Sequence, residues 1–468
     1  MSQDISTNSS PRAIGASFRD PSGYIFLDDG VVHRYVAASY WPELSRLHDS
    51  GLYDSLVTKG WLIKHEFVPH MNSEHGKVLR PEQIPYISYP YEWSHAQLKA
   101  AAKLTLDIQH VALKHGMGLK DASAYNIQFI GSRPIFIDTL SFESIDINKP
   151  WRAYKQFCEH FLAPLALISN ARPILAKLLI GCIDGIPLED AAKLLPRKTL
   201  FQYSLFAHIH AHASSQAKHS DVRASQKVAG AKRFSEAMHS ALVESLKSAI
   251  TKISFPLNRS EWSHYYEDNN YTAIAADHKS KLVRSWIEKS IVPGMIVHDI
   301  GANTGQFSRI SAEAGAYVVA HDIDYTAVER HYSNLREQEE GRILPLYLDM
   351  SNPAPSLGWA SAERDSFFKR TQNCVVMALA LVHHLAIANN TPLIRIAEVF
   401  ASLAQRLIIE FVPKEDSQVE RMLSSREDIF PNYTQTGFEE AFSSHFELLE
   451  KTPIKDSTRI LYLFKKMG

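Results

Sequence analysis

The sequence has little of what marks several large classes of protein. Its three cysteines, Cys158, Cys182 and Cys374, stand far apart and form neither a CxxC pair nor an even framework. That argues against a disulfide scaffold and suits buried thiols in a reducing compartment. No charge of one sign prevails: 50 Lys and Arg face 51 Asp and Glu, so nothing supports nucleic-acid binding. Long apolar runs are missing as well. The longest, Phe161 to Ile168 and Ile174 to Cys182, fall short of the roughly 20 residues that cross a bilayer. The first residues, Met1 to Arg12, are polar and Ser/Asn-rich without an apolar core, which predicts a disordered tail and not a signal peptide. No internal repeat is visible. These absences leave a cytoplasmic globular protein with no membrane span and no expected nucleic-acid partner.

What is present is enough chain, 468 residues, for two or three domains with cores of their own. Residues 213–232 (ASSQAKHSDVRASQKVAGAK) lack apolar periodicity and read as a linker. The expected division is a tail over 1–15, a first domain over 16–212, a linker and connecting helix over 213–253, and a second domain over 254–468. In the first domain, Leu98, Ala101, Ala102, Leu104, Ile108, Val111 and Ala112 recur at helical spacing between Ser94 and Lys114, and a hairpin is predicted around Gly131.

From Gly294 onward the pattern changes. The runs MIVHDI, AYVVAHD, RILPLYLD, CVVMALAL and RLIIEFV alternate with amphipathic segments, as in βαβ units around a parallel sheet. His445 to Lys451 and Arg459 to Lys465 read as a closing hairpin. In MIVHDIGANTGQF an apolar strand ends at Asp299 and enters Gly301-Ala302-Asn303-Thr304-Gly305 ahead of a helix. Glycines there let the backbone approach a ligand, and the helix offers free N–H groups. The spacing is Asp-x-Gly-x-x-x-Gly where a dinucleotide loop would read GxGxxG, so an NAD-linked oxidoreductase loses ground. The second strand ends in Asp322, with Asp324 close behind, about twenty residues on, where a carboxylate can accept from ribose hydroxyls. The third ends in Asp349-Met350, suited to an adenine ring and its amine.

These strand ends together resemble the class I S-adenosylmethionine-dependent methyltransferases, over about residues 254–468. The resemblance implies a Rossmann-like, seven-stranded α/β domain with S-adenosyl-L-methionine as cofactor. It implies that Asp299, Gly301 and Gly305 hold the methionine part and Asp322 the ribose, that Asp349 and Met350 lie near the adenine, and that Asn303 also belongs to the cofactor site. For a base, His383 and His384 after the fourth strand and Glu410 at the fifth are candidates, each also readable as structural. No Asn/Asp-Pro-Pro-Tyr/Phe motif follows the fourth strand, which favours an oxygen or carbon acceptor. Glu261 to Tyr271 (EWSHYYEDNNY) reads either as a lid or as ordinary packing.

In the first half, Asp121 and Asn126 in GLKDASAYN, followed by Asp138 in FID, are spaced like the catalytic loop and metal-binding strand of kinase-like and aminoglycoside-phosphotransferase folds. That resemblance implies an α+β domain with Ile84 to Trp93 as hinge. The glycine-rich loop is poor, at Asp20 to Tyr24, and the lysine position holds Arg34, which implies a degenerate domain used for binding or positioning. Magnesium and ATP enter only if this domain is active. The whole chain also resembles a bacterial group carrying YPYEW (Tyr89 to Trp93), LKDASAYN and ALALVHHL. His208, His210 and His212 alternate in FAHIHAHA, but no metal site is expected. The expected function is methyl transfer to a small-molecule or glycan-like acceptor. A bifunctional kinase-methyltransferase and a cofactor-binding pseudoenzyme scaffold are the alternatives.

Overall fold

Extended β-branched and aromatic runs build two main sheets in this chain, one in each half. The structure, a computed structural model, describes residues 12–212, 234–256, 271–424 and 426–468. The tail up to residue 11, the 213–232 linker and residues 261–270 of the lid candidate lie outside the described residues.

In the first half, β1 (Arg12–Ala13), β2 (Gly23–Asp28), β3 (Val31–Ala37), β4 (His65–Phe67) and β5 (Gly76–Pro81) form an antiparallel sheet of order β1-β2-β3-β5-β4. Residues 12 and 13, read as tail from the sequence, are a paired strand because their backbone aligns with Phe26 and Leu27. A helical layer follows. Its first helix, His95–Lys114, starts at a capping box in which the Ser94 side chain accepts from the Gln97 N–H and Gln97 returns the bond to Ser94. Such a cap contributes about 1 kcal/mol. Then come β6 (Met117–Leu119), the hairpin β7 (Ile127–Ile130) with β8 (Arg133–Phe136), and β9 (Phe142–Ser144), which pairs with β6.

The second half is a seven-stranded sheet of β10 (Ile296–Ile300), β11 (Tyr317–Asp322), β12 (Ile343–Tyr347), β13 (Cys374–Ala378), β14 (Ala404–Phe411), β15 (Phe446–Pro453) and β16 (Ile460–Lys466). The order is β12-β11-β10-β13-β14-β16-β15, parallel from β12 to β14, with β16 antiparallel to both neighbours. The order in which successive strands are added reverses between β10 and β13. Ligands of open α/β sheets bind outside the strand C-termini at such a point. The fourth apolar run, CVVMALAL, leaves the sheet at Ala378 because Ala380 takes a left-handed backbone, φ 50°.

The halves share one core. Val319, Tyr332, Leu344 and Leu346 of the second half cluster with Leu98, Ala102 and Phe129 of the first. The helix Glu236–Lys252, placed by the sequence in a connection, contributes Val243, Leu246 and Ile250 to that core and packs along His95–Lys114. Polar stitches back the apolar contact: Tyr332 Oη donates to the Ser132 carbonyl at 3.0 Å and the Gly131 N–H to Tyr317 Oη at 3.0 Å. Gly131, φ 59°, lets the β7–β8 turn press on Gly341, where a Cβ would collide with backbone. The Tyr89 to Trp93 stretch is a junction element. Glu92 and Arg370, both nearly inaccessible, form an ion pair with an Nη1–Oε2 distance of 3.0 Å, and the guanidinium lies 4.5 Å over the Tyr89 ring. Among the described residues, no helix is long and apolar enough to cross a membrane.

Candidate active site

The crevice grows out of the β10 loop. Gly301, Asn303 and Gly305 all have positive φ, 84°, 50° and 81°, which glycine and asparagine tolerate best. The left-handed turns aim the Gly301 and Ala302 N–H groups at the His321 carbonyl, 2.9 Å from each, and so bind the loop to β11. The Asn303 N–H then donates to Asp322 Oδ2 at 2.7 Å, while Asp322 Oδ1 accepts from the Asp324 N–H at 2.7 Å. Asp299, beneath the loop, accepts from Ser308 Oγ at 2.6 Å.

Above these groups lies a cavity of about 280 Å³. Asp299, Gly301, Asn303, Asp322, Asp349, Met350 and His384 all line it, so the structure brings together residues from the ends of β10, β11, β12 and β13. Asp349 Oδ1 is held at the cavity edge by the Ser351 N–H at 3.0 Å and Ser351 Oγ at 2.5 Å. Burial pushes the Asp299 carboxyl up to about 7, with the charge of Asp322 adding to the effect and Ser308 and Lys279 opposing it. Burial likewise raises Asp322 to about 6 against the pull of its N–H donors.

Three residues singled out in the sequence sit apart from the cavity wall. Gly305 does not line it. It opens the helix Gln306–Glu313 and makes room for the His331 ring, with which a Cβ would collide. Gly305→Ala should therefore cost at least ~2 kcal/mol, from the left-handed backbone and the displaced ring together, measurable by urea denaturation. His383 is buried behind His384, ring centroids 4.1 Å apart. Burial lowers His384 to about 4, with Arg459 adding to the effect, and takes His383 well below the usual imidazole value, so both rings are neutral near pH 7. Glu410 is fully buried and already engaged: it accepts from Lys279 Nζ at 2.7 Å and from Tyr271 Oη.

Sequence reasoning missed the cations around that glutamate. Lys279, on the helix Ala273–Ser290, lines the cavity with its ammonium 4.7 Å over the Phe307 ring and 4.8 Å over Tyr271. Arg459 donates to Tyr271 Oη at 3.0 Å and to both oxygens of Asp416. One signal was available. Lys279 lies four residues from Ala275 and from Val283, on the apolar stripe of its helix, where a surface lysine does not belong.

In the first half, Asp138 Oδ1 accepts from Arg34 at 2.5 Å and Oδ2 from Ser141 Oγ, which in turn receives Asn126 Nδ2 at 3.1 Å. Asp121 accepts from the Ser123 N–H at 2.8 Å, and burial, with Asp138 nearby, raises its pKa. His208 hydrogen-bonds Tyr154 and Ser245, and His210 hydrogen-bonds Thr199. Among the described residues, no three His, Cys, Asp or Glu side chains are grouped to hold a metal.

The chain is 37% identical over 466 residues to the nodulation protein NoeA of Rhizobium meliloti (strain 1021), an alignment taking in 97% of this chain and 96% of that protein. No family model matches. Among solved structures, it is similar over 44% of its length to 93% of the magnesium protoporphyrin IX methyltransferase (ChlM) of Synechocystis PCC 6803 with bound SAH, at 18% identity and a TM-score of 0.32. The bifunctional kinase-methyltransferase WbdD matches 43% of this chain with 41% of its own, at 16% identity and a TM-score of 0.29. The N-methyltransferase NodS of Bradyrhizobium japonicum WM9 matches 43% with 99% of its own, at 12% identity and a TM-score of 0.29.

Proposed function

The chain belongs to the family of the nodulation protein NoeA, and from the geometry of its crevice we propose that it is an S-adenosylmethionine-dependent methyltransferase. The observation that carries this reading is one cavity lined by three acids, Asp299, Asp322 and Asp349, from the ends of successive strands, beside the bare backbone of Gly301. That donor set fits the cofactor chemically: acids for an ammonium and a sulfonium, acceptors for ribose hydroxyls, and Leu348 and Met350 for the faces of a purine. When bound, the cofactor supplies an electrophilic methyl group for in-line displacement, in which positioning does much of the work.

Asp299 would hold the charged methionyl end, Asp322 the ribose and Asp349 the adenine amine. His384, neutral and lining the cavity, hydrogen-bonds the acceptor and orients it; its lowered pKa makes it a weak base. Glu410 works from behind, holding Lys279 and Tyr271 in place. The acceptor is a small molecule or glycan-like, methylated at oxygen or carbon. The first half is a degenerate kinase-like domain that binds or positions: the acid a metal would need, Asp138, is taken by Arg34 and Ser141.

Titration calorimetry with S-adenosylmethionine tests the reading, and absence of binding would sink it. Its affinity should also rise as pH passes about 6 and then about 7. The raised carboxyls hold protons below those values; once ionised, Asp322 is the better acceptor for the ribose hydroxyls and Asp299 for the cationic methionyl end. A flat pH profile would remove Asp299 and Asp322 from the site. Mass spectrometry of native-host extracts incubated with the protein and labelled cofactor should reveal the methylated acceptor.

A further inference from the structure

β12 is the outermost strand of its sheet on one side, so the loop that follows it, with Asp349, Met350 and Ser351, has a neighbouring strand on one flank alone. Something else has to steady that wall of the cavity. The chain continues from the wall into residues 357–365, which leave the sheet and reach the first half of the molecule. The base of this excursion is pinned beneath the wall: the Phe367 N–H donates to the Ala354 carbonyl at 3.1 Å, and the Phe367 ring packs in one cluster with Leu348 and Met350.

Its tip is a closed turn. Leu357 and Arg364 exchange backbone hydrogen bonds at 2.9 and 3.1 Å, and the Trp359 N–H donates to Glu363 Oε1 at 2.7 Å. Ala360 and Ser361 take left-handed backbones, φ 52° and 54°, which non-glycine residues keep only where the surroundings over-determine them. Ala360 and Ser361 are themselves exposed, and it is the residues after them, 362–365, that meet the first half. Arg19 donates to the Glu363 carboxylate through Nη2 at 2.7 Å and Nε at 3.1 Å. Gly15 lies so close to Ala362 that a Cβ would strike its carbonyl. The Arg364 guanidinium sits 4.3 Å over the Tyr125 ring, and the Asp365 N–H donates to Tyr89 Oη at 2.9 Å. Gly15 and Arg19 precede β2, Tyr125 precedes β7, and Tyr89 joins the two layers, so the turn is gripped from both layers of the first half.

We propose that residues 357–365 are an arm by which the first half positions the adenine-side wall of the crevice, with Arg19 and Glu363 as positioning residues. The inference rests on the cofactor reading of the crevice. It gives the first half a task that needs neither nucleotide nor metal, and it places the arm across the junction between the β1–β5 sheet and the Tyr125 segment.

The test uses the full chain and S-adenosylhomocysteine as probe. Arg19→Ala should weaken binding by roughly five- to tenfold, the low end of site-to-site coupling, and open the arm to trypsin at Arg364. Arg19→Lys, which keeps the charge, should recover most of the affinity, and Arg19→Ala combined with Glu363→Gln should bind no worse than Arg19→Ala alone. Wild-type affinity in all these variants, with a lowered melting temperature, overturns the proposal and leaves Arg19 a structural residue. A wild-type chain that fails to bind the probe overturns instead the cofactor reading on which the arm's purpose depends.

Discussion

Asp322→Ala is expected to weaken S-adenosylmethionine binding by about two orders of magnitude. A hydrogen bond to a charged acceptor is worth ~1.5–3 kcal/mol, so losing those from two ribose hydroxyls removes ~3 kcal/mol or more. The side chain also organises the loop, since its two oxygens take the N–H groups of Asn303 and Asp324. Burial raises its pKa, so the ionised form is held at a cost. Removing it lifts that cost while stranding two donors, so the melting temperature above pH 7 should move little compared with affinity. Calorimetric titration beside thermal denaturation separates the two effects. A variant that binds like wild type would place the ribose elsewhere and require a different account of the β11 strand end.

Arg370→Ala should destabilise the protein by ~3–5 kcal/mol, the usual consequence of stranding one member of a buried ion pair. Glu92 would remain nearly inaccessible with its charge uncompensated, the Ile87 carbonyl would lose its donor at 2.7 Å, and the Tyr86 and Tyr89 rings would lose the guanidinium beside them. Glu92→Gln should cost less, because an amide oxygen can still accept from the Tyr89 N–H, now bonded at 2.8 Å. Urea unfolding measures both variants. A loss below ~1 kcal/mol for Arg370→Ala, typical of an exposed pair, would show that water reaches the junction.

The two variants probe parts of the molecule that differ in how far they can be read from sequence. Asp299, Gly301, Asn303 and Asp322 are recognisable because their chemistry is local: a strand, its terminal acid and the loop that follows are contiguous, and a parallel sheet brings successive strand ends to one edge. The Glu92–Arg370 pair is not legible in that way. Its members lie 278 residues apart, and each by itself reads as an ordinary surface charge. Glu410 shows the intermediate case. Its place at the end of the fifth strand was visible, but its engagement by Lys279, 131 residues earlier, was not, and that contact occupies the carboxylate. Gly305 was assigned to the methionine part by the family resemblance, and His383 was readable either as a base or as structural. Packing places Gly305 against His331 and His383 behind His384.

By itself, then, the sequence determined the alternation of strands and helices from residue 294 onward, the acid and glycines of the β10 loop, and the helix starting after Ser94. Each follows from periodicity, turn chemistry or composition within a few residues. Only the tertiary structure decided that the two halves share a core, that Asp138 is held by Arg34 and Ser141, that Lys279 faces the cavity, and that an arm from the β12 loop is gripped by Arg19 and Tyr125. Those facts depend on which distant charges and apolar faces meet and lose their water together. No local pattern carries that information, because burial is a property of the assembled fold.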